Sequence, residues 1–178
     1  MKRTFEGEPV DLRVIKENDM SILEAECDIL SPNAIGGILN ERTIPNIKAK
    51  FICGGANCQL AVETEDARRL ADRGIELVPD YIASRMGLVA ASWEPFGLLD
   101  DDDPLVQQHF NQAWAASIPA VTKKVFAEAR ATGETTTQVA ARIADSRSRQ
   151  PHPLIGSRTE SIIAALVASK WHLQGNSK

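Results

Sequence analysis

Three short apolar runs, each closed by small or turn-forming residues, punctuate the first half of the chain. CDIL (27–30) stops at Ser31-Pro32, because proline cannot donate to a central ladder; KFIC (50–53) stops at Gly54-Gly55; and IELVP (75–79) ends on Pro79. Apolar runs of this length between turn signals predict buried strands. ETEDARRLADRG (63–74) carries acids in its first turn, arginines later and Gly74 at its end, which predicts a helix with a glycine C-cap. NAIGGILNERTIPNIKA (33–49) predicts a small-residue turn, a short helix and a loop carrying Pro45. Strands alternating with helices over short connections predict an α/β fold with parallel pairing and right-handed crossovers.

From Asp80 onward the pattern is helical. YIASRMGLVAASWEPF (81–96) reads as one helix, and the acidic break DDDDP (100–104) supplies a cap for the next. Residues 104–133 read as a long helix, kinked or broken before Pro119. ETTTQVAARIADSRSR (134–149) is a further helix, QPHPLIGS (150–157) a loop, and RTESIIAALVASKW (158–171) a final helix capped by Ser157. Val121, Val125 and Ala129 form a core stripe at helical spacing, and Trp93, Trp114 and Trp171 read as core or interface residues. Residues 1–25 are polar and weakly patterned. The expected organisation is an N-terminal segment (1–25), an α/β part (26–95) and a helical C-terminal extension (96–178). The bare edge of a sheet of about three strands is a liability. The first 25 residues, the helical tail or another chain are expected to cover it.

Composition narrows the function classes. The 178 residues are 43% hydrophobic and 25% charged with a net charge of −4, ordinary for a globular protein and unsuited to nucleic acid as partner. No apolar run reaches the ~20 residues that span a bilayer, and MKRTFEGEPVDLR has no apolar leader core. A cytoplasmic location without membrane contact is expected. Cys27, Cys53 and Cys58 read as reduced thiols. Their spacing, far from His109, His152 and His172, argues against a metal site, and no local pattern pairs Cys58 with a base.

In an open parallel sheet the ligand side is the carboxyl end of the strands. The turns there are SPNAIGG (31–37), GGANCQ (54–59) and PDYIASRMG (79–87), all rich in small residues. Asn57 offers an amide donor and acceptor to a ligand, or simply holds its turn. Asp80 reads as a helix cap. Arg85 reads as a surface cation or a cation near a cleft, and the aspartate run as a solvated loop.

ECDILSPNAIGGILNERTIPNIKAKFICGGANCQL (26–60) followed by RGIELVPDYIASRMGLVAAS (73–92) resembles the C-terminal half of the glutamate/leucine/phenylalanine/valine dehydrogenase family. There a CDI…PxALGxxIN segment precedes IPxLKAK…GxANNQL and then GIxxxPDYxxNAGGV. The resemblance implies a partial Rossmann-like parallel sheet and a cofactor-domain share in the NAD- or NADP-linked oxidative deamination of L-amino acids. It also implies a cofactor lying along Pro32, Asn33, Ala34 and Gly36, with Gly55, Ala56 and Asn57 at the nicotinamide ribose and Ser84 beside the ring.

The departures shape the expectation as much. Ser84 stands where the family has asparagine, Arg85-Met86 replace small residues, and Cys58 replaces the second asparagine of ANNQ. The chain has no GxGxxG phosphate turn and no acid 20 residues beyond it. The family's catalytic lysine and glycine-rich substrate segment have no counterpart either, so no catalytic residue is assigned. The expected protein is therefore amino acid dehydrogenase-like and needs a companion chain or a homo-oligomer. The alternative is a catalytically dead or repurposed stand-alone domain.

Overall fold

Ile29–Leu30, Phe51–Ile52 and Glu76–Leu77 pair in parallel, with Ile29 opposite Phe51 and Phe51 opposite Glu76. The computed structural model describes residues 2–5, 8–11, 16, 19–97, 100, 102–151 and 158–170. Two further strands, β1 (Lys2–Phe5) and β2 (Glu8–Asp11), form an antiparallel hairpin of their own. The parallel strands are then β3, β4 and β5, in the order β3-β4-β5, and the hairpin does not extend their sheet. Polar patterning gave no sign of this hairpin. Among the described residues the first 25 do not cover the sheet edge by strand pairing.

Leu30, Ile52 and Leu77, adjacent in register, are buried on one face of the sheet. They join Leu23, Leu39, Ile44, Ile47, Ile75 and Leu70 in one core. Leu70 comes from α1 (Glu63–Asp72), which forms where the acids and arginines predict it. Asp66 in α1 is buried, and its carboxylate accepts from Val62 N (2.7 Å) and Arg69 Nη1 (2.6 Å), so the burial leaves no orphaned charge. Arg73 at the end of α1 donates to the carbonyls of Ile44 and Ile47, fastening the helix to the segment before β4.

The helix expected within 33–49 does not form. Asn40 Nδ2 donates to Gly37 O (2.9 Å), its Oδ1 accepts from Arg42 N (3.0 Å), and Thr43 Oγ1 donates to Ile38 O. These local bonds compete with a helical ladder, while Leu39 bridges Leu60 in parallel. Only a 3₁₀ turn, Ile44–Asn46, remains.

The single helix expected over 81–96 is two, α2 (Asp80–Ala83) and α3 (Met86–Trp93), followed by a 3₁₀ turn at Pro95. Ser84 N and Ser84 Oγ both bond the Asp80 carbonyl (2.7 Å each), closing α2 after one turn. The long segment is broken before Pro119, as expected, into α4 (Pro104–Gln108) and α5 (Ile118–Thr132). Ser117 Oγ caps α5 by accepting from Ala120 N (3.2 Å), with Pro119 in the first turn. Val125 and Ala129 are buried and Val121 half-buried. Trp93 and Trp114 are 40% and 37% exposed, so they are not core residues. α6 (Thr136–Ser148) and α7 (Arg158–Ala168) complete the helices, while Ser157 and Trp171 lie outside the described residues.

The chain divides into two compact units, 1–139 and 140–178. Among the described residues no helix is long and apolar enough to cross a membrane, and no cluster of histidine, cysteine or acid could hold a metal.

Candidate functional site at the strand ends

The turns after β3 and β4 are packed backbone against backbone. Gly54 faces Pro32 so closely that a Cβ there would lie 2.0 Å from the Pro32 carbonyl oxygen. A Cβ on Gly36 would lie 2.7 Å from Asn57 O. Ala56 N donates to Pro32 O (3.0 Å) and Gly37 N to Cys58 O (2.8 Å), so the two loops are bonded to each other at two points. Much of the small-residue character read as ligand access is therefore required by the loops' contact with each other.

Two side chains lock the assembly. Asn33 Nδ2 donates to Ser31 O (2.9 Å) and Ser31 Oγ (3.0 Å), and its Oδ1 accepts from Gly55 N (2.7 Å). Asp80, expected as a helix cap, instead accepts from Cys58 N with one oxygen and from Tyr81 N (2.9 Å) with the other. It joins the second turn to the third. Cys58 sits at φ +51°, a left-handed conformation disfavoured for most side chains. Beneath the turn, buried Gln59 donates through Nε2 to Gly54 O (2.8 Å) and Ala56 O (2.9 Å).

Pro32 and Ala56 are buried, and Asn33 is committed to the clamp. Ala34, Gly55 and Asn57 are exposed where the two turns meet, and the Asn57 side chain makes no hydrogen bond among the described residues. Ser84 is half-buried, with its hydroxyl on Asp80 O. Arg85 turns toward α4 and the loop after it, with its guanidinium carbon 5.9 Å from the Trp114 ring centroid. Burial, and then the charge of Arg85, hold His109 below the usual histidine range.

Sequence reasoning missed the contribution of the run Thr135–Thr137. Thr136 Oγ1 donates to Leu77 O (2.7 Å) and Tyr81 OH to Thr137 O (3.3 Å), fixing the third turn from beyond α5. Polar residues at a predicted helix start were the only trace of this. A cavity of about 360 Å³ lies here, walled by Leu60, Leu77, Pro79 and Tyr81. Burial, then the charges of Glu63 and Asp80, push the Tyr81 phenol up to about 12. Burial raises the Cys53 thiol.

The surface fits one end of a dinucleotide. Exposed Ala34 and Gly55 leave backbone open to a flat ring, and Asn57 offers hydrogen bonds to a ribose hydroxyl or amide. It does not fit the other end. The helix after the β4 turn opens with Glu63 and Glu65, whose charges oppose a diphosphate at that terminus.

The sequence matches the family described as Glutamate/Leucine/Phenylalanine/Valine dehydrogenase over residues 3–150. Valine dehydrogenase of Streptomyces coelicolor is 35% identical over 139 residues, 78% of this chain and 36% of that protein. Phenylalanine dehydrogenase of Bacillus thermotolerans is 36% identical over 154 residues, 86% of this chain and 37% of that protein. The crystal structure of L-tryptophan dehydrogenase from Nostoc punctiforme superposes with a TM-score of 0.60 at 33% identity, covering 72% of this chain and 36% of that one. The chain thus spans about a third of the length of the curated relatives it matches.

Proposed function

From the premise that the chain belongs to the glutamate/leucine/phenylalanine/valine dehydrogenase family, we propose that it forms the nicotinamide side of an NAD(P)-dependent oxidative deaminase of L-amino acids, completed by a companion chain. The observation that carries this reading is the Asn33–Gly55 clamp, which fixes two strand-end turns and leaves Asn57 and the Gly55 backbone exposed between them. When bound, the nicotinamide supplies the hydride acceptor. This chain's share is positional: Asn57 holds the ribose, Ala34, Gly36 and Gly55 give the ring a flat bed, and Ser84 borders it. Holding reacting groups in register accounts for a large part of such a rate enhancement. The diphosphate and the substrate fall to the companion, because this chain has no GxGxxG turn and the helix after its β4 turn opens with acids. Relatives named as valine, phenylalanine and L-tryptophan dehydrogenases support an apolar L-amino acid as the substrate.

Calorimetry with NAD⁺, NADH, NADP⁺ and NADPH tests the reading. With a companion present, micromolar binding and amino-acid-dependent NAD(P)H formation are expected, both weakened by Asn57→Ala. Absence of both overturns it.

The turn Ser84-Arg85-Met86 favours a second reading, a non-redox domain that reuses the cleft, because Arg85 is committed to the Trp114 contact. Replacing those three residues with Asn-Ala-Gly separates the two. Gain of cofactor affinity supports the dehydrogenase reading, and loss of stability without any such gain supports a repurposed turn.

A further inference from the structure

Nothing in the proposed cofactor geometry uses the cavity between the second and third turns. Its volume of about 360 Å³ is that of a small-molecule site. Leu60, Leu77, Pro79 and the Tyr81 ring give it apolar walls, and neither Ala34, Gly36, Gly55 nor Asn57 lines it.

The polar side chains on these walls share one character. Gln59 is 2% exposed, and its Nε2 donates to the carbonyls of Gly54 (2.8 Å) and Ala56 (2.9 Å). Those bonds orient the amide, because a flipped one would set its oxygen against two carbonyl oxygens. Oε1 is thereby left buried without a partner. Gln59 lines the cavity, whereas Gly54 and Ala56 do not. A buried acceptor in this state costs free energy until a donor reaches it. Tyr81 OH has committed its hydrogen to Thr137 O (3.3 Å), so it too can only accept. The Asp80 carboxylate takes the N–H groups of Cys58 and Tyr81. The Glu63 carboxylate has no hydrogen-bond or ion-pair partner among the described residues.

The charge balance has one sign. No lysine, arginine or histidine lines the cavity. Two helices begin beside it, α1 at Glu63 and α6 at Thr136, and each N-terminus brings about half a positive charge. The two full carboxylates outweigh them. After burial, these same two charges are what raise the Tyr81 phenol at the wall.

We propose that the cavity binds a small organic cation that joins an apolar body to N–H donors, such as an aromatic or branched amidine, guanidine or primary amine. The apolar body packs against Leu77 and Pro79, and the N–H groups serve Glu63 and the orphaned Gln59 oxygen. Amino acids and nucleotides do not suit the site, because their carboxylate or phosphate would meet Glu63 and Asp80. The proposal goes beyond the dehydrogenase reading and does not depend on it.

Benzamidinium, benzamide and benzoate share one shape and differ in charge, so together they separate electrostatic selection from simple filling of an apolar space. Each is titrated into the full chain near neutral pH by calorimetry. The ring resonances of Tyr81, the one tyrosine in the chain, locate the binding by NMR. Benzamidinium is expected to bind with a Kd of about 1 mM or tighter and to shift the Tyr81 resonances, benzamide to bind about tenfold more weakly, and benzoate not measurably. Ala61→Trp sets a large ring at a lining position and should abolish binding, and Glu63→Gln should weaken it about threefold to tenfold. Ala61 and Glu63 are exposed, so both variants are expected to keep the far-UV spectrum of the parent. No benzamidinium binding up to about 10 mM, equal affinity for benzamide, unchanged affinity in Glu63→Gln, or binding that survives Ala61→Trp and leaves Tyr81 unshifted overturns the proposal.

Discussion

The Asn33 carboxamide oxygen accepts the Gly55 N–H at 2.7 Å across a sequence separation of 22 residues. Removing that side chain frees the Gly55 donor and both Ser31 acceptors. Asn33→Ala is expected to cost about 1 kcal/mol, read as a fall of roughly 2–4 °C in Tm. Hydrogen exchange should quicken at Gly55 and stay unchanged in α5.

The Asp80–Cys58 link is charged and holds a residue in the left-handed region. Asp80→Ala is expected to destabilise by about 1.5–3 kcal/mol, as for hydrogen bonds to ionised groups. Cys58→Asn goes the other way, by roughly 0.5 kcal/mol, because asparagine tolerates φ > 0. Urea unfolding of both variants measures the pair, and a destabilised Cys58→Asn would contradict the backbone assignment at this turn.

Two glycines of similar appearance in sequence should answer alanine oppositely. Gly54→Ala forces a Cβ against the Pro32 carbonyl and is expected to cost about 3 kcal/mol or more. Gly87 lies within α3 with open space around it, so Gly87→Ala should stabilise by roughly 0.5–1 kcal/mol. Thermal melts of the two variants decide this.

Tyr81 is the one tyrosine in the chain, so phenolate absorbance reports it alone. Its titration is expected near 12 in the folded protein, against about 10 in an unfolded chain. Below pH 10 both states hold the proton and stability is unaffected. Between 10 and 12 the unfolded state loses the proton first, so stability falls as pH rises. Tyr81→Phe should flatten that fall in urea titrations, after subtraction of the loss both proteins share.

Alkylation separates the three exposed cysteines. Burial raises the Cys53 thiol, so it should carry less thiolate near neutral pH and react more slowly than an unshifted thiol. Mass mapping after brief iodoacetamide treatment is expected to find Cys53 modified more slowly than a short cysteine peptide in the same mixture.

The chain's local chemistry determined a good deal by itself. Apolar runs ended by proline and glycine placed all three parallel strands, and acids before arginines placed α1. Pro119 marked the break before α5, and the order of three turn motifs identified the family. Those signals lie within a few residues of each other, so they are written in the sequence. The outcomes at Asn40, Ser84 and Asp80 were different. At Asn40 and Ser84 the choice between helix and turn lay between a helical ladder and side-chain bonds to residues within five positions, which compete closely, and at Asp80 the choice between cap and clamp depended on the Cys58 N–H, 22 residues away. Gly36 and Gly54 show the same division, since a small residue can admit a ligand or a neighbouring loop, and only the packed backbone tells which. Contacts between residues far apart in the chain carry no local mark, because their free energy is gained only once the chain has folded.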